Sequence, residues 1–352
     1  MEQPQQHWLN EQLYIGLDLH KNKWVVTVRT QDVHLKTFVS TADKEVLLNS
    51  LANNWPGAKM RAVYEAGCFG YHLADFLHGH GIETMVVAPH TIPVEPGRFV
   101  KTDTIDSRKL ALELAKGSLR GIYQRSPAEL YDRSLVRKRQ QLVKRRVQIQ
   151  LQVKSDLTFF GIDLPFPLPR YWSKQVLAQL RTLTIGTPDF QKVFQLSLQE
   201  YEALCDQIRT VDKLLLELSQ SEKYQHQMSL LQRVPGIGRL TGLTLLVELS
   251  NIHRFRNAKQ FASYLGLTPS EYSSGETVRK GSLTGMGHSR LRTLLIEAAW
   301  TAIRQDPVLL QKFQRLSVGK SKAKAIVAVA KSLANRIRRV LLKQEPYVIG
   351  VS

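Results

Sequence analysis

Apolar and polar positions follow two different rhythms along this chain, and the change of rhythm divides it. Over residues 12–125 short apolar runs read as strands: Tyr14–Leu19 and Trp24–Val28, joined by the polar turn His20–Lys23, then Lys59–Tyr64 and Thr84–Ala88, the last stopped by Pro89. Helical stretches fall between them, at about 42–53 and 70–80. Strands alternating with helices predict an α/β sheet. From residue 126 the rhythm is helical. Ser126-Pro127-Ala128-Glu129 supplies an N-cap serine, a proline at the first helical position and a capping-box glutamate, opening a helix that runs to about Phe159. Leu135, Leu142 and Ile149 recur every seven residues, flanked by Val136 and Val143, as in a short coiled-coil seam. Pro165, Pro167 and Pro169 mark a linker. On a second helix, from about Leu198 to Gln225, the residues Leu204, Ile208, Val211, Leu215 and Leu218 form one apolar stripe. That stripe can pair with the first helix or with a second subunit. The remainder is mainly helical, with a glycine-rich irregular stretch at 266–287. The predicted fold class is α/β plus all-α: an α/β domain over 12–125, a helical coiled-coil and linker region over 126–227, and a mainly helical domain over 228–345.

Composition narrows the setting. With 352 residues, 43% of them hydrophobic, and a mean hydropathy of -0.22, the chain reads as soluble and globular. No apolar run approaches the ~18 residues that span a bilayer, so no membrane role is expected. The segment Met1–Asn10 is polar and lacks an apolar signal core, which argues against secretion. Cys68 and Cys205 lie far apart in no metal-ligand spacing, pointing to a reducing compartment such as the cytoplasm.

Charge changes the picture most. Lys+Arg 49 against Asp+Glu 30 gives +19, an excess that attracts polyanions. The bases cluster: eight against one acid between residues 130 and 154, and ten against none from Pro307 to Gln344. Clustering of this kind resembles a nucleic-acid footprint. An anionic membrane would call for an amphipathic anchor or a lipidation motif, and neither accompanies the charge. Arg137, Lys138 and Arg139 recur seven residues on as Lys144, Arg145 and Arg146, making a stripe along one helix side. A solvated helix face is the plain alternative, but the lack of balancing acids favours phosphate contact.

Candidate chemistry begins with carboxylates. Asp18 sits in an apolar strand, where an uncompensated charge is costly. Glu65 follows the strand ending at Tyr64, and Ala66-Gly67 let the chain turn. Asp103 and Asp106 are three apart on a helix that Thr102 can cap, so both point at one volume. Four acids from two strand ends and one helix suit hard divalent cations such as Mg²⁺. Two such ions ~3.5–4 Å apart can stabilise both oxygens of a phosphodiester displacement. Singly, Asp103 could be a helix-dipole charge and Glu65 a loop acid; Asp18 resists a plain reading best.

The C-terminal half is less explicit. Val234-Pro235-Gly236-Ile237-Gly238 precedes a helix over Leu240–Leu249 and resembles the hairpin of helix-hairpin-helix modules, a natural phosphate seat. Beyond it, Tyr272-Ser273-Ser274-Gly275 is ringed by Arg279, Lys280, Arg290 and Arg292. A serine needs activation to attack, and such cations can neutralise a phosphate under attack. From composition alone this is a polar surface loop. Gly319-Lys320-Ser321 lacks the first glycine of a P-loop, since Gln314 stands there. His20 and His288 lie beside the candidate sites.

In combination and order, Gly16-Leu17-Asp18-Leu19-His20-Lys21, Glu65-Ala66-Gly67 and Lys101-Thr102-Asp103-Thr104-Ile105-Asp106 resemble the DEDD transposases of bacterial insertion sequences. The run from Val234 to Trp300 is similar to their C-terminal transposase domain. The resemblance implies an RNase H-like N-terminal fold of the Holliday-junction-resolvase type and an enzyme that cleaves and rejoins DNA. It implies Asp18, Glu65, Asp103 and Asp106 as Mg²⁺ ligands and Ser274, with Ser273 the lesser alternative, as a nucleophile forming a transient phosphoserine link. It implies a site composed by both domains, within one subunit or across two, and guidance by a structured RNA encoded by the element. The implied partners are donor and target DNA duplexes and further copies of the chain, in a dimer or tetramer, on the nucleoid in a bacterial cytoplasm. That family often has alanine after the final aspartate; Ser107 stands there in this chain, a departure expected to leave metal binding intact. Two other readings are a junction-resolving nuclease with Ser274 a bystander, and a non-catalytic nucleic-acid-binding protein.

Overall fold

The first apolar run becomes the centre of a sheet. Strands β1 (Gln12–Leu19), β2 (Lys23–Arg29), β3 (His34–Thr41), β4 (Lys59–Glu65) and β5 (Glu83–Val87) stand in the order β3-β2-β1-β4-β5. β1 pairs antiparallel with β2, and β2 with β3, whereas β1, β4 and β5 run parallel. The structure, a computed structural model, describes residues 8–93, 103–274 and 277–350, and the side chains of 271–280 lie outside that description. It divides into two compact units, Met1–Arg125 and Ser126–Ser352.

Period-two alternation sorts the sheet's faces. Leu13, Ile15 and Leu17 are buried against Leu47 and Leu51 of α1 (Lys44–Asn54) and Leu73 and Leu77 of α2 (His72–Gly79). On the opposite face Tyr14, Val63 and Val87 pack with Leu110 and Leu114 of α3 (Asp103–Ala115). This mixed sheet with helices on both faces is consistent with the RNase H-like domain that the sequence implied. β3 was not among the expected strands. It is an edge strand with Val39 exposed, and its mixed HLKTFVST sequence has no clean apolar run to announce it.

The second unit opens as anticipated. Ser126 caps α4 (Pro127–Phe159) in a full capping box with Glu129. α4 pairs within the chain with α6 (Pro188–Gln220), and Leu142 of the seven-residue seam is buried with Val136, Leu204, Ile208 and Val211. α6 starts well before Leu198, because Thr187 caps it and Pro188 fits its first turn. It ends at Gln220, and Gln225 belongs to the next helix, α7 (Gln225–Leu231). After the proline linker, a further helix, α5 (Lys174–Thr182), joins Trp172, Phe194, Leu198 and Tyr201 in a core that also takes Val153 and Leu157 of α4.

A larger core follows, built by α8 (Arg239–Leu249), α9 (Ala258–Tyr264), α10 (Ser289–Ala302), α11 (Pro307–Gly319) and α12 (Lys322–Lys343). α12 buries Ile326, Val329, Leu333 and Ile337 and keeps its bases off that stripe. Gly319-Lys320-Ser321 is the junction of two helices, Ser321 capping α12. The turn before α8 requires Gly236: its φ is +81°, and a Cβ there would collide with the Ala298 carbonyl of α10. The glycine-rich stretch 266–287 is more regular than expected. Most of it is an antiparallel hairpin of β6 (Pro269–Ser274) and β7 (Thr277–Leu283). Among the described residues no helix is long and apolar enough to cross a membrane.

Candidate functional site

Gly16 decides where the carboxylates meet. A Cβ on Gly16 would overlap the Ser107 carbonyl and come within 2.5 Å of the Ala111 amide. The bare strand backbone therefore lets α3 lie directly on β1. Gly16 and Asp18 share a face of β1 by alternation. Ser107 and Asp103 are one helical turn apart. A helix running opposite to the strand thus carries Asp103 to Asp18. The imidazole of His20 stands between the two acids, with Nε2 3.3 Å from Asp18 Oδ2 and 3.5 Å from Asp103 Oδ1, and Lys23 Nζ is 3.7 Å from Asp103 Oδ2.

The other two acids border the same place. β1 and β4 run parallel with Leu17 opposite Tyr64, so Asp18 and Glu65 follow side by side at the strands' C-terminal ends. Burial raises the Asp18 carboxyl above its ordinary range; His20 opposes this, and the charges of Asp103 and Asp106 add to it. The charges of Asp103 and Asp106 thus reach Asp18, with Glu65 at the neighbouring strand end. One ligand atom each from Asp18, His20 and Asp103 lies within 4.8 Å of the others, a set able to hold a metal ion. Crowded carboxylates that raise one another's proton affinity are stabilised by a divalent cation, and their hard oxygens fit one. The sequence placed His20 beside the site; the structure puts it among the candidate ligands. Thr102, expected to cap α3, lies outside the described residues.

Ser107 anchors α3 from beneath. Fully buried, its hydroxyl is 2.9 Å from Thr27 Oγ1, donates to the Thr104 carbonyl at 3.1 Å, and continues through Thr27 to Thr37 Oγ1, again 2.9 Å.

In the second unit the stripe on α4 divides. Lys138, Lys144 and Arg145 are exposed. Arg139 is paired with Asp212 of α6, and Arg137 with Glu248 of α8. Acids to balance the stripe, scarce along α4 itself, thus arrive from other helices. Glu248 is wholly buried and gathers four cationic or cation-capable groups: Arg133 Nε at 2.8 Å, Arg137 Nε at 2.9 Å, His288 Nε2 at 3.1 Å and Arg290 Nη1 at 3.2 Å. Burial raises the Glu248 carboxyl, but hydrogen bonds from His288, Arg137 and Arg133 outweigh it and hold the group far below the carboxylate range. Arg290 is pulled down by burial first, Glu248 opposing. Arg292 donates to the Gly266 carbonyl at 3.4 Å. Sequence reading passed over Glu248, although its setting in Leu245-Leu246-Val247-Glu248-Leu249 carries the signal that singled out Asp18: an acid inside an apolar run.

Ser273 and Ser274 end β6, with Ser273 opposite Val278 and Ser274 opposite Thr277 across the hairpin. Arg279 and Lys280 lie on β7, opposite Tyr272 and Glu271. The side chains of these four residues are outside the described part of the structure.

Two family models match this chain. A transposase model of the DEDD type of IS110 covers residues 15–161, and one described as the transposase IS116/IS110/IS902 family covers residues 228–314. The y4qE protein of Sinorhizobium fredii is 29% identical over 93% of this chain and 81% of its own length. The transposase for insertion sequence element IS1111A of Coxiella burnetii is 24% identical over 96% of this chain and 91% of its own. The pilin gene-inverting protein of Moraxella bovis is 26% identical over 95% of this chain and 97% of its own. The first model spans every carboxylate of the candidate centre and the second spans Glu248 and the β6–β7 hairpin; the chain belongs to the IS110/IS116 family of transposases, enzymes of DNA transposition and recombination.

Proposed function

We propose that the first unit, residues 12–125, is the RNase H-like catalytic domain of this transposase, and that Asp18, Glu65, Asp103 and Asp106 hold Mg²⁺, as two ions, against a scissile phosphate. The observation that carries the reading is the meeting of Asp18 and Asp103 around His20 at the C-terminal edge of the parallel strands. Bound there, the cations would offset charge on the phosphate and on the oxygens entering and leaving it. The carboxylates' part is to fix the position of that charge, and Gly16 and Ser107 hold α3 where its acids can do so.

The region 126–227 serves as a helical connector and 228–345 as the transposase domain. Ser274, with Ser273 as the lesser candidate, is the nucleophile. Its Oγ forms a bond to phosphorus, the deoxyribose oxygen leaves with its electron pair and takes a proton, and the hydroxyl proton goes to a neighbouring base. Each exchange replaces one phosphoester with another, so reverse attack by a different DNA hydroxyl rejoins strands without net hydrolysis. Lys138, Lys144 and Arg145, exposed on α4, together with Arg146, Arg279, Lys280 and Arg292, contact phosphates of DNA, and of a structured RNA that guides the enzyme, whereas Arg137 and Arg290 are held by Glu248 and Arg139 by Asp212. The net charge of +19 supports two nucleic acids as partners. Recombining two duplexes calls for a dimer or tetramer, working in the cytoplasm on the nucleoid.

The test is covalent trapping on the element's own DNA ends, with co-purified RNA retained, followed by mapping of the attached residue. Attachment at Ser274, lost in Ser274→Ala, is expected. Full cleavage by Ser274→Ala would instead establish the junction-resolving nuclease reading.

A further inference from the structure

Both ends of the β6–β7 hairpin rest on one buried residue. The chain approaches the hairpin from Tyr264, the last residue of α9, and leaves it through His288, just before α10. The Tyr264 hydroxyl donates to the Glu248 carbonyl at 3.1 Å, and the His288 ring meets the Glu248 carboxylate, also at 3.1 Å. The His288 amide closes the circuit by donating to the Tyr264 carbonyl at 2.7 Å. Between these ends the Thr284 amide donates to the Thr268 carbonyl at 3.3 Å, extending the ladder beyond the pair of Pro269 and Leu283.

The foot of the hairpin has little slack. Gly287 has a φ of +92°, and a Cβ there would stand 2.6 Å from the Gly266 nitrogen. Leu265 and Leu267 are buried in the core on the entry side. His288 also caps α10, its Nδ1 accepting from the Leu291 amide at 3.3 Å. With Nδ1 an acceptor, the ring proton sits on Nε2 and is donated to Glu248. The partners of the carboxylate thus fall into two pairs. Arg133 and Arg137 come from α4, and His288 and Arg290 from the exit of the hairpin. A buried charge that loses a partner is costly, so the carboxylate enforces where the exit stands.

We propose that Glu248 is a positioning residue of the transposition reaction, acting through His288 to fix the direction in which the hairpin presents the end of β6. This role rests on the reading of Ser274, at that end, as the nucleophile. A misplacement of ~1 Å can cost a reaction about a hundredfold in rate.

The test is single-turnover cleavage of the element's own DNA ends by the full chain, with co-purified RNA retained, at a temperature where the variants are folded. His288→Ala should cut about tenfold to a hundredfold more slowly at saturating DNA, with the half-saturating DNA concentration unchanged. His288→Gln keeps a side-chain N–H donor and should recover most of that rate, which it would not do for a ring that transfers protons. Arg133→Met removes a contact of the same kind from the α4 side of Glu248, so it should lower the melting temperature and keep the rate. Glu248→Gln should slow cleavage as His288→Ala does, and the double variant should be no slower. If Glu248→Gln fails to fold, His288→Ala against Arg133→Met decides. Parent rate in His288→Ala or in a folded Glu248→Gln, no recovery in His288→Gln, or equal slowing in Arg133→Met overturns the inference. Full cleavage by Ser274→Ala removes the nucleophile reading and the positioning role with it; an inactive Ser274→Ala beside a full-rate His288→Ala removes the positioning role alone.

Discussion

The backbone of Gly16 in β1 touches the backbone of Ser107 in α3, so closely that the strand position has no room for a Cβ. That contact brings α3 against β1, alongside the packing of Leu110 and Leu114 and the hydroxyl bond of Ser107. Gly16→Ala should destabilise the first unit by about 1–3 kcal/mol through overpacking. It should also move Asp103 away from Asp18 and weaken divalent-ion binding in the protein that still folds. Urea denaturation and a metal titration of the same variant read the two effects. Full stability would mean that α3 can shift without cost.

Ser107 has a smaller role. Its hydroxyl bonds to Thr27, which keeps a second bond to Thr37 when Ser107 is gone. Ser107→Ala should cost about 1 kcal/mol and leave metal affinity unchanged, measured in the same two experiments. A loss of metal affinity in a stably folded variant would show that the hydroxyl chain, and not the Gly16 contact, sets the place of Asp103.

The strands and acids of the first unit were readable because local signals agree there. Alternation in β1 assigns Leu13, Ile15 and Leu17 to one core and leaves Asp18 on the other face, where an acid needs a reason. The i, i+3 spacing did the same for Asp103 and Asp106. What escaped reading is tertiary. β3 is an edge strand whose pairing with β2 gives it its order, and its own residues carry little signal. The pairing of α4 with α6 within one chain was undetermined, since an apolar stripe fits any partner stripe. Glu248 was missed because its partners stand far away in sequence, at Arg133, Arg137, His288 and Arg290. The hairpin at 269–283 hid behind glycines and serines that also suit a loop.

Glu248 makes the second unit acid-sensitive. Its folded pKa lies below the value of ~4.3 expected in the unfolded chain. The carboxylate's contribution is therefore complete above the unfolded pKa and declines as pH falls through that value toward the folded one. Denaturant midpoints should fall steeply below about pH 4.3. Glu248→Gln leaves three guanidiniums around a neutral amide and should lose about 3–5 kcal/mol at neutral pH, with a flatter acid limb. An unchanged acid limb in that variant would assign the sensitivity to another carboxylate, such as Asp306, which is also held low.

His20 separates a metal ligand from a mere charge neighbour. Its Nε2 is poised between Asp18 and Asp103, and it has two possible relations to a cation. As a ligand it adds a donor, so His20→Ala should weaken binding, by about tenfold on the scale of metal-site perturbations. As a protonated partner of the acids it competes with the cation, so the same variant would strengthen binding. Three ligand atoms within 4.8 Å of one another suit the first relation as they suit an ion pair, and weaker binding is the outcome expected of a ligand. An imidazole nitrogen is a better ligand for Mn²⁺ than for Mg²⁺, so the loss should be larger for Mn²⁺. Asp18→Asn, which removes a charge that the set cannot replace, should abolish binding of both ions. Titrating the two metals against the parent, His20→Ala and Asp18→Asn, with thermal shift as the readout, distinguishes the cases. Tighter binding by His20→Ala would return His20 to the role of a neutralising neighbour and leave the carboxylates as the ligands.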